Sequence, residues 1–203
     1  MTKKIFMPLV ALCALFALVS CSEQEEVGEY DNWKERNVHY LDSIATLADS
    51  NQKGWSKIKS YTMGDSIGLD ADRSYYIYVQ KLETGHGTYK PQAKDSVRVH
   101  YSGRLIPTAS YPLGYNFDKS YSGATLNEAT DVPSLLGMTG IVYGFSTALM
   151  HMVEGDHWRV VIPSYLGYRD QSSTSVPAHS TLIFDLKLSK VYRYKIDTNT
   201  SWH

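Results

Sequence analysis

Val97-Arg98-Val99-His100-Tyr101-Ser102-Gly103-Arg104-Leu105 is the stretch that decides the fold of this chain. Val97, Val99 and Tyr101 alternate with Arg98, His100 and Ser102, which predicts a strand with one apolar and one polar face. The same period of two recurs on both sides. Upstream, Tyr75-Tyr76-Ile77-Tyr78-Val79 reads as a strand with few charges, and Gly85-His86-Gly87 marks a turn. Downstream, Trp158, Val160 and Ile162 alternate with Arg159. Further on, Leu182, Phe184, Leu186 and Leu188 alternate with Asp185 and Lys187. Between these strands lies one short helical candidate, Tyr143 to Met152. The pattern predicts an antiparallel sheet with one helix laid on its apolar face, an α+β arrangement.

Composition fits this reading. Of 203 residues, 43% are hydrophobic and 20% charged, as in an ordinary soluble globular protein. Sixteen tyrosines suit half-buried strands. A net charge of −1 gives no electrostatic case for nucleic acid as a partner. Residues 1–20 stand apart. Lys3 and Lys4 precede an apolar run over residues 5–19, which ends Leu18-Val19-Ser20-Cys21. A charged start, a short apolar core and a small residue before the cut predict a secretory signal peptide. The Leu-Val-Ser-Cys junction resembles a bacterial lipobox. That implies lipidation at Cys21, membrane attachment through that lipid, and a place in the bacterial cell envelope, at the outer membrane. Cys13 and Cys21 are the only cysteines, so the mature chain is expected to have neither disulfide nor free thiol.

Residues 21–30 are polar and acidic and read as a tether. In some Gram-negative lipoproteins such a stretch resembles an address for the cell surface. Residues 31–49 read as a helix, with Asp31 as N-cap and Trp33, Leu41, Ile44, Leu47 and Ala48 near one face. The helix is expected to pack on the following domain or on a second copy. The division that results is an N-terminal helical extension over 31–73, the main domain over 74–194, and a tail over 195–203. The main domain is expected to fold without the helix.

Six elements in order resemble one family. Val97 to Leu105 resembles the V-x-V-H-Y-x-G-x-L strand of FKBP-type peptidyl-prolyl isomerases. Asn116-Phe117-Asp118-Lys119-Ser120 resembles their F-D-x-S element, and Ile141-Val142-Tyr143-Gly144-Phe145 their V-I-x-G-W. Met152-Val153-Glu154-Gly155-Asp156 resembles the turn after their helix. Ile162-Pro163-Ser164-Tyr165-Leu166-Gly167-Tyr168 resembles I-P-P-x-L-A-Y. Val176-Pro177-Ala178-His179-Ser180-Thr181-Leu182-Ile183-Phe184-Asp185 resembles the last, I-P-P-x-[AS]-x-L-x-F-D. The resemblance covers residues 92–190 and implies an FKBP-like sheet wrapped around one short helix.

It also implies a chemistry, rotation about X–Pro bonds of proline-containing polypeptides. Resonance holds the amide planar behind a barrier of about 18–20 kcal/mol. Twisting it reduces its charge separation, so a dry apolar pocket favours the twisted form over the planar one. No nucleophile, metal or cofactor is required. By resemblance the pocket would be lined by Tyr101, Phe117, Val142, Phe145, Val176 and Phe184, with Phe145 as floor. Asp118 would be the polar group at its edge, and Tyr168 would offer its hydroxyl to a substrate carbonyl. The competing readings are an FKBP-like domain that binds a peptide without turnover, and an envelope lipoprotein that only packs into an assembly.

The chain departs from the family pattern in four places. Phe145 stands where Trp is usual, Arg169 where Gly is usual, and Val132 and Ser134 where an aromatic is usual. The loop over residues 106–115 is longer than typical. Other chemistry is weakly signalled. Gly144-Phe145-Ser146-Thr147-Ala148 lacks the second glycine of a nucleophile elbow. His151, His157 and His179 are not at zinc-ligand spacing.

Overall fold

The computed structural model describes residues 28–64 and 72–194. The signal segment, Cys21, most of the acidic tether and the tail over 195–203 lie outside the described residues. Helix α1 (Trp33–Asp49) is followed by strands β1 (Trp55–Lys59), β2 (Tyr76–Glu83), β3 (Ser96–Arg104), β4 (Asn116–Lys119) and β5 (Ser134–Gly137). Helix α2 (Tyr143–Leu149), β6 (His157–Ile162) and β7 (Leu182–Tyr192) complete the elements of the described residues. The seven strands form one sheet in the order β1-β2-β6-β7-β3-β4, with β5 pairing the other end of β3. Every pairing is antiparallel.

Register assigns each residue a face. Ile77 and Val79 of β2, Val160 of β6, Phe184 of β7 and Gly103 of β3 share the inner face. There α2 is seated, buried from Gly144 to Leu149. The close approach requires Gly144, because a Cβ on it would lie 2.2 Å from Ile162 Cγ2. Tyr76, Tyr78, Arg159, Asp185, Ser102 and His100 share the outer face.

The outer face is not solvent, contrary to the simple alternation. His100 is only 5% exposed and Ser102 only 7%. Residues 121–126 cross this part of the sheet, with Tyr121, Thr125 and Leu126 beside His100, and Glu128 pairs with Lys187 at 2.6 Å. The register also shifts between Arg98 and Val99, which face Lys190 and Leu188, so Ser189 is an extra residue in β7.

Helix α1 covers the rest of the outer face. Trp33, Leu41, Ile44, Ala45 and Ala48 are buried, and Leu47 is partly so. Trp33 Nε1 donates to Ser180 Oγ at 2.8 Å, and Asn37 Oδ1 accepts the Thr181 N–H at 2.7 Å. This explains why Tyr76 to Val79 are all buried, since α1 lies on one side of β2 and α2 on the other. The helix therefore packs on its own domain. Two expectations are corrected. Asp31 is not the N-cap; Asn32 holds that position in a left-handed conformation, and the Asp31 carboxylate accepts the Gly28 N–H instead. The boundary at residue 74 cuts through the sheet, because β1 belongs to it and pairs with β2 from Trp55 to Lys59. Residues 55–59 carry two lysines and a serine among only two apolar residues, too weak a pattern to signal a strand.

Candidate active site

Gly103 organises the site. It lies opposite Phe184 on β7 and Asp118 on β4. A Cβ on Gly103 would stand 2.6 Å from the Phe184 ring and 2.7 Å from the Phe117 ring, so only glycine lets both rings close over β3. Four aromatics then meet, edge to face in every contact but that of Tyr101 with Phe184, which is tilted. Phe184 lies 5.0 Å from Phe145, 5.6 Å from Phe117 and 6.4 Å from Tyr101, and Tyr101 lies 5.8 Å from Phe145. Edge-to-face pairs place the positive ring edge on a negative ring face, which fixes geometry as well as burying area. Phe145 and Phe184 are 4% and 3% exposed, whereas Phe117 and Tyr101 are half-buried.

A cavity of about 340 Å³ opens beside this cluster. Phe117, Asp118, Tyr168 and Val176 line it directly, together with Gln171, Ser172, Ser173 and Ser175. Phe184 meets it through its ring contact with Phe117, and Tyr101 and Phe145 pack on Phe184 in turn. Val142 lies apart from the lining. It caps α2 with its carbonyl, which accepts the Phe145 and Ser146 N–H groups, and its side chain packs on the core. The four polar residues of the 171–175 segment escaped the sequence reading. Their one signal was a serine-rich run between two recognisable motifs.

The polar groups are paired at the rim. Tyr101 Oη donates to Asp118 Oδ2 at 3.0 Å. Burial and this bond push the Tyr101 phenol up to about 12, so it remains a donor at neutral pH. Burial also raises the Tyr168 phenol, with the Asp118 charge adding to it. Asp118 itself is exposed, which accounts for a carboxylate beside Phe117 without a desolvation penalty.

The departures have structural correlates. Arg169 holds φ at 59°, a left-handed conformation suited to glycine that costs a side-chain-bearing residue about 1–2 kcal/mol. Val132 is 71% exposed, and Ser134 begins β5 opposite Val99, so neither lines the cavity. The long 106–115 loop leans on the N-terminal segment, where Ser110 Oγ donates to the Glu29 carboxylate. Its turn requires Gly114, at φ 84°, since a Cβ there would stand 2.1 Å from the Leu105 carbonyl oxygen.

Other chemistry finds no support. Ser146 is fully buried and donates to the Met138 carbonyl, far from a nucleophile's exposed position. His151 Nδ1 bonds the Thr147 carbonyl, and His157 pairs with Glu83. Among the described residues no group of three or more His, Cys, Asp or Glu side chains is placed to hold a metal ion. None of the described helices is long and apolar enough to cross a membrane.

Comparison with known proteins agrees with this geometry. The chain is 33% identical over 111 residues to the FKBP-type 22 kDa peptidyl-prolyl cis-trans isomerase of Escherichia coli K12, covering 54% of this chain and 47% of that protein. It is 29% identical over 119 residues to the FkpA isomerase of Aeromonas hydrophila, covering 59% of this chain and 38% of that protein. The matched part thus spans less than half the length of these bacterial relatives. Human FKBP2 is 30% identical over 129 residues, covering 63% of this chain and 82% of that protein. Among solved structures, Escherichia coli FkpA superposes with a TM-score of 0.56 at 25% identity, over 79% of this chain and 62% of that one. A Pseudomonas syringae isomerase superposes at 0.54 and 24% identity, over 79% of this chain and 96% of that one, a likeness of fold. The family model for FKBP-type peptidyl-prolyl cis-trans isomerases matches residues 87–189, the span that holds Gly103, the four-ring cluster and the cavity, and the chain belongs to that family.

Proposed function

We propose that the chain catalyses cis–trans isomerisation of X–Pro bonds in proteins of the bacterial envelope or surface, held at the membrane by lipid on Cys21. The observation that carries the catalytic part is the edge-to-face cluster of Tyr101, Phe117, Phe145 and Phe184 against one wall of the cavity. A prolyl ring seated there leaves water. The planar amide, with its larger charge separation, then loses more solvation than the twisted one, and the barrier falls. Each 1.4 kcal/mol of that difference is worth a factor of about ten in rate. Tyr168 lines the cavity with a raised pKa, so its hydroxyl stays protonated and can donate to a substrate carbonyl. Asp118 holds Tyr101 in place through their hydrogen bond. Phe145 anchors the cluster from α2 and serves as the floor, with the Val142 carbonyl fixing the start of that helix. Val176 contributes an apolar wall.

The test is isomerisation of a short X–Pro peptide by residues 22–203, with and without an FKBP-pocket inhibitor. Acceleration that the inhibitor abolishes is expected; a folded protein that accelerates no X–Pro peptide would sink the reading. One observation favours a second reading, an FKBP-like module that binds peptide without turnover. Gln171, Ser172, Ser173 and Ser175 give the cavity a hydrogen-bonding wall suited to holding an extended chain. Tight peptide binding without acceleration would decide for it. The membrane part rests on the junction before Cys21. Cys21→Ala should release the protein from the membrane fraction, and retention there at unchanged size would refute the anchor.

A further inference from the structure

Next in the chain to a cavity-lining residue stands a cation that the isomerase chemistry does not use. Arg169 follows Tyr168 directly, so its Cα lies about 3.8 Å from that of a cavity-lining residue. Its backbone is fixed on both sides: its N–H donates to the Ser164 carbonyl at 2.8 Å, and its own carbonyl accepts the His179 N–H at 2.7 Å. Its side chain is held as well. The guanidinium lies 5.1 Å from the centre of the Tyr165 ring and 5.9 Å from that of Tyr143, and Nε donates to the Tyr165 carbonyl at 3.3 Å. Yet the two terminal nitrogens donate to no described residue, and the group forms no ion pair with one. A guanidinium presents its donors in a planar fork that matches a carboxylate. Here the fork is positioned in advance, exposed and uncompensated, on the side where α2 begins. Tyr143 and Tyr165, 44% and 39% exposed, flank it with ring surface for the adjoining residues of a chain.

We infer that Arg169 is a specificity-determining residue that selects substrates carrying an acidic residue next to the proline. The inference rests on the isomerase reading for its substrate, and on the geometry around Arg169 for its selectivity. Neither Tyr143 nor Tyr165 is charged, so the selected feature is the carboxylate, while the rings supply contact without discrimination of charge.

The experiment uses the full chain and two peptide sets followed by exchange NMR. One set varies the residue before proline, as Ala-Glu-Pro-Phe, Ala-Leu-Pro-Phe and Ala-Lys-Pro-Phe. The other varies the residue after it, as Ala-Leu-Pro-Glu and Ala-Leu-Pro-Lys. Both kcat/KM and Kd are measured. Glu should be preferred to Lys in at least one set by about three-fold, the size of one partly exposed ion pair. That ratio should fall to about one in Arg169→Gln and in 0.5 M NaCl, and Arg169→Lys should restore part of it. Arg169→Gly, which suits the φ of 59°, guards against a variant that fails to hold the loop. Equal treatment of Glu and Lys in both sets, with the Leu peptide turned over normally, overturns the inference. So does a preference that survives Arg169→Gln and Arg169→Gly. If no peptide is turned over, the isomerase reading fails by itself, and the Glu-to-Lys ratio of Kd decides the role of Arg169.

Discussion

Removing everything before Ser74 should destroy cooperative folding, although residues 87–189 alone match the family. The deletion takes away α1 and β1. Four large apolar side chains buried in the core go with them: Trp33, Leu41, Ile44 and Trp55. At about 1.5–3 kcal/mol for each, the loss is about 6–12 kcal/mol, an upper estimate because the unfolded chain already buries part of this surface. A domain of this size has only about 5–15 kcal/mol in all. Further costs follow. The buried Thr181 N–H loses its partner, Asn37 Oδ1. Strand β2 becomes an edge with Tyr76 and Tyr78 uncovered, a template for aggregation. The assay is urea unfolding of residues 74–194 against residues 22–203, followed by far-UV circular dichroism and by the fluorescence of Trp158, which both fragments keep. The longer fragment should show one sharp transition and the shorter a broad one, or precipitate. A 74–194 fragment that unfolds cooperatively at nearly the same urea midpoint as the longer one would refute the reasoning. It would mean that α1 decorates the sheet without supporting it.

Tyr168→Phe keeps the ring and removes one hydroxyl worth about 0.5–1.5 kcal/mol, so kcat/KM should fall about two- to ten-fold with Tm unmoved; an unchanged rate would remove Tyr168 from the mechanism. Gly103→Ala should push Phe117 and Phe184 apart, lowering stability by about 1–3 kcal/mol and activity with it, and a variant with wild-type Tm and rate would contradict the close contact. Burial lowers the pKa of His100 from 6.5, outweighing the nearby Glu128 and Asp131 charges, so the folded state resists a proton that the unfolded state accepts. Stability should therefore be full above pH 6.5 and decline as pH falls below it toward the folded-state pKa, and His100→Gln should flatten that decline in a Tm-against-pH profile. An identical acid profile in the variant would exclude His100 as its source.

How much of this was legible in the sequence depended on whether local pattern or tertiary cover decided the outcome. β3, β6 and β7 were readable because their inner faces alternate strictly, and α2 because its glycine and aromatic fall within a recognisable motif. β1 was hidden, since Lys57 and Lys59 lie on the outer face, where Lys57 pairs with Asp49 of α1 at 2.7 Å. The polarity that disguised the strand comes from a neighbour that composition cannot reveal. His100 misled in the opposite direction. Its alternation was correct, but residues 121–126 cover the face it points to. At the site, the fold brings the rings of Tyr101, Phe117, Phe145 and Phe184 together. The 171–175 segment was not foreseen, because serines and glutamine carry no signal until a cavity forms against them. Nor could the position of Arg169 between Tyr143 and Tyr165 be read: an arginine where Gly is usual hints at the left-handed backbone, and nothing local says where its side chain goes.

The outer face also bears on why the pocket exists at all. Phe184 and Asp185 are neighbours on β7, so a slip of one residue would send the carboxylate into the aromatic cluster and the ring outward. Hydrophobic burial opposes that slip along the strand, at Leu182, Phe184, Leu186 and Leu188. On the opposite face Asp185 is gripped from both adjacent strands, by Arg104 of β3 and by Arg159 of β6 at 2.9 and 3.2 Å. The Asp185 side chain is only 20% exposed and the two arginines 24% and 39%, so these pairs are less screened than surface ones. Slippage of β7 in either direction would break both pairs and leave a half-buried carboxylate without a partner, which is more costly than never having formed them. Electrostatics on the outer face thus reinforces the register that burial sets, and the register places Phe184 opposite Gly103, where its ring meets Phe117, Phe145 and Tyr101. The pocket's apolar wall is thus held in register from both faces of β7, by burial on one and by charge on the other.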